Sequence, residues 1–223
     1  MFLIKKLILK LYLIGLIPKI LLSQKLKLRL ITGKIFYYKR SIKKLKNYYQ
    51  IHPMPSTDEL NEYYQNNYWE WINKDGKNEG VMNRDKEHFS ILKEKLPSIF
   101  SKPQNILNFG AGHGGISHLF WKEKFSVVNV EPSKINSKYE ERWEQYSDIK
   151  EISLDNKFDL IYGSHSLEHV NNLEKFYLII EKLLKPKGYI FWEVPNGNNP
   201  ENGGCNGRIQ APHTYYFTKN YFN

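Results

Sequence analysis

From residue 105 onward, four short apolar runs are separated by stretches long enough for a helix. They are NILNF (105–109), SVVNV (126–130), KFDLIY (157–162) and YIFWEV (189–194). Such alternation demands βαβ units, because parallel strands are joined only by long crossovers, which helices usually fill. The spacing predicts helices near 114–123, 133–145 and 171–184, with a weaker strand near 149–153. The fold class is therefore α/β: a mostly parallel sheet flanked by helices, with right-handed crossovers.

The rest of the chain is different in kind. Residues 1–57 carry 13 Lys/Arg and no acid, the first being Asp58, whereas the remainder holds 20 basic and 23 acidic residues, a balance of −3. The basicity belongs to an N-terminal arm. Its apolar opening is broken by Lys5, Lys6, Lys10 and Lys19, leaving at most eight uncharged residues in a row (11–18). A bilayer span needs roughly 20. Helical spacing puts Lys5, Lys6 and Lys10 on one side and Phe2, Leu7, Leu11 and Ile14 on another, which predicts a basic amphipathic helix. Residues 1–50 are thus candidates for an anionic membrane surface. The competing reading packs the arm on its own protein or on another subunit. Nucleic acid is disfavoured, because Lys outnumbers Arg 28 to 5 and bidentate readout favours Arg.

The HPMPS segment (52–56) interrupts any helix, so a boundary is expected near 57, between an arm (1–57) and a domain (58–223) whose core is 105–196. Ser56 and Glu59 have capping-box spacing for a helix carrying Leu60, Tyr63 and Tyr64. The aromatic cluster of Tyr63, Tyr64, Tyr68, Trp69 and Trp71 reads as packing material rather than ligand contact. Residues 84–96 have helical spacing, ended by Pro97. One cysteine, Cys205, excludes an internal disulfide, and no A-x-A site follows the apolar start. The expected compartment is the cytoplasm, with the arm a candidate to rest on the inner membrane face.

The first strand-to-helix junction, NFGAGHGG, is where chemistry enters. Gly110, Gly112 and Gly114 remove Cβ atoms where the chain turns sharply, so backbone N–H groups can approach a ligand. The next strand ends at Glu131, 21 residues after Gly110, where a carboxylate can accept from ribose hydroxyls. Both features serve an adenosyl ligand or a dinucleotide equally well, since Gly110, Gly112 and Gly115 also satisfy G-x-G-x-x-G.

Taken together, NFGAGHGG, VVNVEPS, FDLIYGSHSLEHV and LLKPKGYIFWEVPN resemble, in that order, the class I S-adenosylmethionine-dependent methyltransferase family, and within it the bacterial small-molecule and glycan-associated group. The resemblance implies a Rossmann-like sheet, S-adenosyl-L-methionine as cofactor, and methyl transfer to a small molecule, a sugar or a lipid-linked glycan precursor. Carried over, it puts Gly110, Gly112 and Gly114 along the methionyl part of the cofactor, Glu131 on the ribose, and Asp148 near the adenine amine. Ser164 and His165 would face the sulfonium and the acceptor. Where the family often has an acid this chain has Asn108, which hydrogen-bonds but cannot pair ionically with the cofactor's ammonium. The family usually continues into two more strands after the fifth, and those are expected to be missing before Asn223.

A general base is useful only for some acceptors, a sugar hydroxyl among them. His165, just beyond the fourth strand, and His213, in the loop after the fifth, are the candidate catalytic residues, while His169 reads as a helix cap or packing residue. No H-x₃-H, C-x₂-C or H-E-x₂-H spacing is present, so no metal is expected. The Asn/Gly-rich segment 196–207 reads as a loop over the acceptor, with Cys205 an incidental thiol. Two alternatives remain: a degenerate binding module without turnover, and an NAD-dependent nucleotide-sugar oxidoreductase.

Overall fold

In the computed structural model, residues 41–64, 81–133, 142–197 and 213–222 are described. The expected N-terminal amphipathic helix, Tyr68, Trp69, Trp71 and Cys205 lie outside them, as does most of the helix expected over 133–145.

The four apolar runs and one further short strand form a five-stranded sheet in which every pairing is parallel. The strands are β3 (Asn105–Phe109), β4 (Ser126–Val130), β5 (Glu144–Tyr146), β6 (Phe158–Ser164) and β7 (Leu184–Glu193). Their spatial order is β5-β4-β3-β6-β7. The chain begins at the centre, builds outward through β4 to β5, then returns to the other side of β3 for β6 and β7. That reversal opens a crevice beyond the carboxyl ends of β3 and β6, the usual ligand position in such sheets.

Alternation with period two divides the core. Ile106, Val127 and Leu160 join Leu92, Ile116 and Phe120 on one face, covered by α2 (Asn83–Lys95), α3 (Pro97–Phe100) and α4 (Gly115–Lys122). Their neighbours Leu107, Val128 and Ile161 join Phe176, Ile180 and Leu183 of α5 (Leu173–Leu183) on the other. Strands apolar on both faces are what a doubly covered parallel sheet requires.

Two details differ from expectation. The fifth sheet strand lies at Glu144–Tyr146, not near 149–153, where Ile149–Glu151 is a 3₁₀ turn. The Asp148 carboxylate accepts from Lys150 N at 3.0 Å and that of Glu151 from Ser147 N at 3.0 Å, local bonds that compete with a strand ladder. The basic segment also contributes strands. β1 (Ser41–Lys44) and β2 (Tyr48–His52) form a hairpin whose β2 edge pairs antiparallel with β8 (Tyr215–Phe217), making a second, three-stranded sheet. Between the sheets, α1 (Thr57–Tyr63) starts at the expected capping box, with Ser56 and Glu59 exchanging bonds of 2.9 and 3.1 Å. Among the described residues, no helix is long and apolar enough to cross a membrane.

Candidate functional site

A cleft of about 910 Å³ opens at the sheet reversal. Its floor is the turn from β3 into α4. Gly110 (φ 72°) and Gly112 (φ 53°) are left-handed, a region costly for residues with a Cβ. A Cβ on Gly110 would lie 2.4 Å from Ser166 Cβ, so backbone there meets the next loop with no room for a side chain. Gly110 N and Ala111 N donate to Val130 O at 2.8 and 3.1 Å, fastening the turn to the end of β4.

Glu131, just past β4, completes the turn. It is 7% exposed, and its two oxygens accept from Gly112 N at 2.9 Å and Ser133 N at 3.0 Å. Asp148 borders the same cleft beside Ile149, with Phe109 on the β3 side. Gly114 (φ 73°) is placed differently. It caps α4 outside the cleft lining, and a Cβ there would stand 2.6 Å from the Trp143 ring, so its bareness serves packing. Asn108 borders the cleft, but its amide nitrogen is committed inward. It donates to Ser117 Oγ at 2.8 Å, which donates to Asn129 Oδ1 at 2.7 Å, a buried relay tying β3 to α4 and β4.

At the end of β6, Ser164 and the following His165 enter the cleft. His165 is left-handed (φ 52°), its backbone N–H held by Glu193 O at 2.9 Å, and its ring is 42% exposed. The ring lies between two carboxylates, with Nδ1 3.5 Å from Glu168 Oε1 and Nε2 3.5 Å from Glu193 Oε2. Ser164 Oγ donates to Glu193 Oε2, and His88 Nε2 lies 3.3 Å from Glu193 Oε1. Burial raises the Glu193 pKa, but the Ser164 hydrogen bond and the nearby His88 and His165 outweigh it and hold the carboxylate below its ordinary value.

Glu168, His169 and His213 close the cleft wall. Burial pushes His213 down to about 3, reinforced by His169, so its imidazole is neutral at physiological pH. Glu168 is opposed by burial, yet His169, His165 and His213 around it bring its pKa below normal. Asp85, at the start of α2, and His113, in the glycine turn, also border the cleft. Burial raises the first and lowers the second, favouring the neutral form of each.

Of the residues expected from sequence, Asn108, Gly110, Gly112, Glu131, Asp148, Ser164, His165 and His213 border the cleft and Gly114 does not. The expected set did not include Glu168 and Glu193, which flank His165. Glu168 stood in the SLEHV stretch and Glu193 at the end of a strand, the position from which a parallel sheet supplies site residues.

A family model described as a methyltransferase domain matches residues 82–219, more than half of the chain. The chain belongs to that family. Its members are class I S-adenosylmethionine-dependent methyltransferases, and the Rossmann-like parallel sheet is the one that family uses. The chain is 27% identical over 130 residues to a ubiquinone biosynthesis O-methyltransferase of Rickettsia bellii, covering 53% of this chain and 54% of that protein. It spans about half the length of the curated relatives it matches. Among solved structures, a Clostridium acetobutylicum S-adenosylmethionine-dependent methyltransferase is 18% identical with a TM-score of 0.45, covering 60% of this chain and 58% of that one. A Pyrococcus horikoshii protein, PH0226, is 24% identical with a TM-score of 0.41, covering 50% and 59%.

The methyltransferase cofactor, S-adenosyl-L-methionine, fits this cleft on its own geometry. The left-handed turn at Gly110 and Gly112 borders the cleft with backbone alone, so no side chain stands between it and a ligand. A carboxylate offers about four acceptor sites, enough for two backbone amides and a ribose diol together. Phe109 and Ile149 give apolar walls to an adenine, with the Asp148 carboxylate beside them.

Proposed function

We propose that this chain catalyses S-adenosylmethionine-dependent methyl transfer to a hydroxyl of a small molecule, a sugar or a lipid-linked glycan precursor. What supports the reading is the convergence of Glu131 and the glycine turn with a carboxylate-flanked histidine, His165, in one cleft. The cofactor supplies an electrophilic methyl group on a positively charged sulfur. Gly110 and Gly112 hold its methionyl part through backbone, Glu131 holds the ribose, and Asp148 meets the adenine amine. Asn108 plays its part by fixing β3 to α4, and Gly114 by seating α4 on Trp143.

Methyl transfer is an in-line displacement, so the protein's main task is to hold acceptor oxygen and methyl in near contact. His165 takes the proton that the acceptor hydroxyl loses, and Glu168 and Glu193 on either side stabilise the resulting imidazolium. Ser164 keeps Glu193 aligned, and the neutral His213 borders the acceptor. The Rickettsia relatives are O-methyltransferases by name, in keeping with a hydroxyl acceptor here.

Calorimetry with S-adenosylmethionine, its demethylated product and NADH tests the cofactor half. Saturable binding of the first two is expected, and binding of NADH alone would overturn the reading. Radiolabelled methyl transfer to a panel of sugars, lipid-linked glycans and phenols tests the acceptor. Transfer to phenols with none to sugars would remove the glycan proposal and keep the methyltransferase. Cofactor binding with no transfer to any acceptor would favour a binding module. His165→Asn should retain cofactor affinity and lose roughly 10²–10⁴-fold in rate, as expected on removing a general base.

A further inference from the structure

Glu168 presents an anomaly that its place beside His165 does not account for. The side chain is 1% exposed, and neither carboxylate oxygen accepts a hydrogen bond of ordinary length among the described residues. A buried ionised carboxylate is costly unless paired, hydrogen-bonded or bound to a metal. Three histidine nitrogens surround it: Nδ1 of His165 at 3.5 Å, Nε2 of His169 at 3.7 Å and Nε2 of His213 at 4.0 Å. Each is too far for a strong hydrogen bond. The distances suit something seated between them.

We propose that Glu168, His169 and His213 form a binding site for a divalent first-row transition metal in the wall of the cleft. One ligand atom from each lies within 4.8 Å of the others. In a tetrahedral site with bonds of about 2.1 Å, ligand atoms stand about 3.4 Å apart. The gaps from Glu168 to the two histidines exceed that by only a few tenths of an ångström, a side-chain adjustment rather than a backbone one. Two imidazoles and one carboxylate favour Zn²⁺, Co²⁺, Fe²⁺ or Mn²⁺ over Ca²⁺ or Mg²⁺, which prefer oxygen ligands throughout.

The backbone holds the set in place without the metal. Glu168 and His169 sit on the 3₁₀ turn Leu167–His169 directly after β6, and His213 arrives from the segment leading into β8. Thr214 joins the two, its N–H and its hydroxyl both donating to Glu168 O at 2.8 Å. This stitch between positions 46 residues apart is why no short-range ligand motif announces the site, and why spacing alone led to the expectation of none. Three protein ligands with a remaining position toward the cleft is the pattern of a catalytic rather than a structural metal. Its role, which rests on the methyltransferase reading, is to bind the acceptor oxygen and ease loss of its proton toward His165.

The test uses the full chain stripped with chelator, with no cofactor or acceptor, so that it stands apart from the fate of the methyl-transfer reading. Titration with Co²⁺, followed by visible absorption and calorimetry, should show one equivalent bound with low-coordinate d–d bands. Glu168→Gln and His213→Gln should each raise the dissociation constant at least about tenfold, while Glu123→Gln, an exposed residue paired with Lys93 outside the cleft lining, should leave it unchanged. Circular dichroism establishes that each variant is folded. Because a variant that fails to fold tells nothing, wild-type crystals soaked in Zn²⁺ give a second readout: an anomalous peak within bonding distance of all three residues is expected. Absence of stoichiometric Co²⁺ binding, equal affinity in folded wild type and variants, or a Zn²⁺ peak elsewhere would overturn the site.

Discussion

Glu131 does two things that mutation can separate. Its oxygens pin Gly112 N and Ser133 N, and the same carboxylate is proposed to hold the cofactor's ribose. Glu131→Ala should cost about 1 to 3 kcal/mol of cofactor affinity, the range for losing hydrogen bonds to a charged group. Calorimetry reads this as a rise in dissociation constant, and an unchanged value would mean that the ribose is held elsewhere. Asp85 makes a pH-dependent prediction. Burial raises its pKa above 3.8, so above that pH the unfolded chain gives up the proton before the folded one does. The folded state then binds more protons, and the group's contribution to stability falls as pH rises from 3.8 toward the folded value. Asp85→Asn keeps an acceptor for Met82 N, held at 2.9 Å in the wild type, and removes that titration. Its melting temperature relative to wild type should therefore climb between pH 3.5 and pH 7. A difference that stays flat with pH would show that Asp85 carries no such linkage.

At the scale of the elements, the relay Asn108–Ser117–Asn129 joins β3, α4 and β4 through groups at most 1% exposed. Ser117→Ala deprives Asn108 Nδ2 of this acceptor and Asn129 Oδ1 of this donor, each a loss of roughly 1 to 3 kcal/mol if nothing replaces it. Urea denaturation should show a lower midpoint with unchanged slope, a total near 2 kcal/mol or more. A midpoint within error of wild type would mean that water or a neighbour takes the place of the hydroxyl. The relay also shows what was legible beforehand. The apolar runs announced β3, β4 and β6 because these are buried along most of their length, and β7, a half-exposed edge strand, because its aromatic and β-branched residues favour an extended chain; the glycine turn announced itself because only bare backbone passes there. Asn108, read as a cofactor contact from its place before Gly110, turns inward because Ser117 and Asn129 are brought to it by the packing of α4 over the sheet, which no local pattern encodes. Glu193 meets His165 only because β7 lies beside β6, and His88 reaches Glu193 only because α2 covers that face, whereas Glu168, three residues from His165, is a local neighbour. Strand order decides such meetings, and β5 shows how weakly a short edge strand is written: three residues, none buried, next to a turn of stronger local bonding.

For the whole molecule, charge and architecture converge on the cleft. The described end of the basic segment is no loose tail, since β2 pairs with β8 and Ile51 N donates to Thr214 O at 3.0 Å, one residue from His213. Thirteen cationic residues without an acid, at about 1 kcal/mol each near an anionic surface before screening, exceed what a single acyl chain contributes to anchoring. The expectation that the basic segment docks on anionic lipid has a direct test. Flotation of the full chain with vesicles containing phosphatidylserine should succeed at low ionic strength and weaken as salt shortens the Debye length to about 3 Å near 1 M. Vesicles of phosphatidylcholine alone should leave the protein at the bottom of the gradient. If lipid contact also orients the cleft, methyl transfer to a lipid-linked acceptor should rise on anionic vesicles and fall with the same salt dependence, while transfer to a water-soluble acceptor stays level. Flotation without that difference would leave the segment an anchor with no bearing on acceptor choice, and failure to float on anionic vesicles at low salt would remove the membrane from the account altogether.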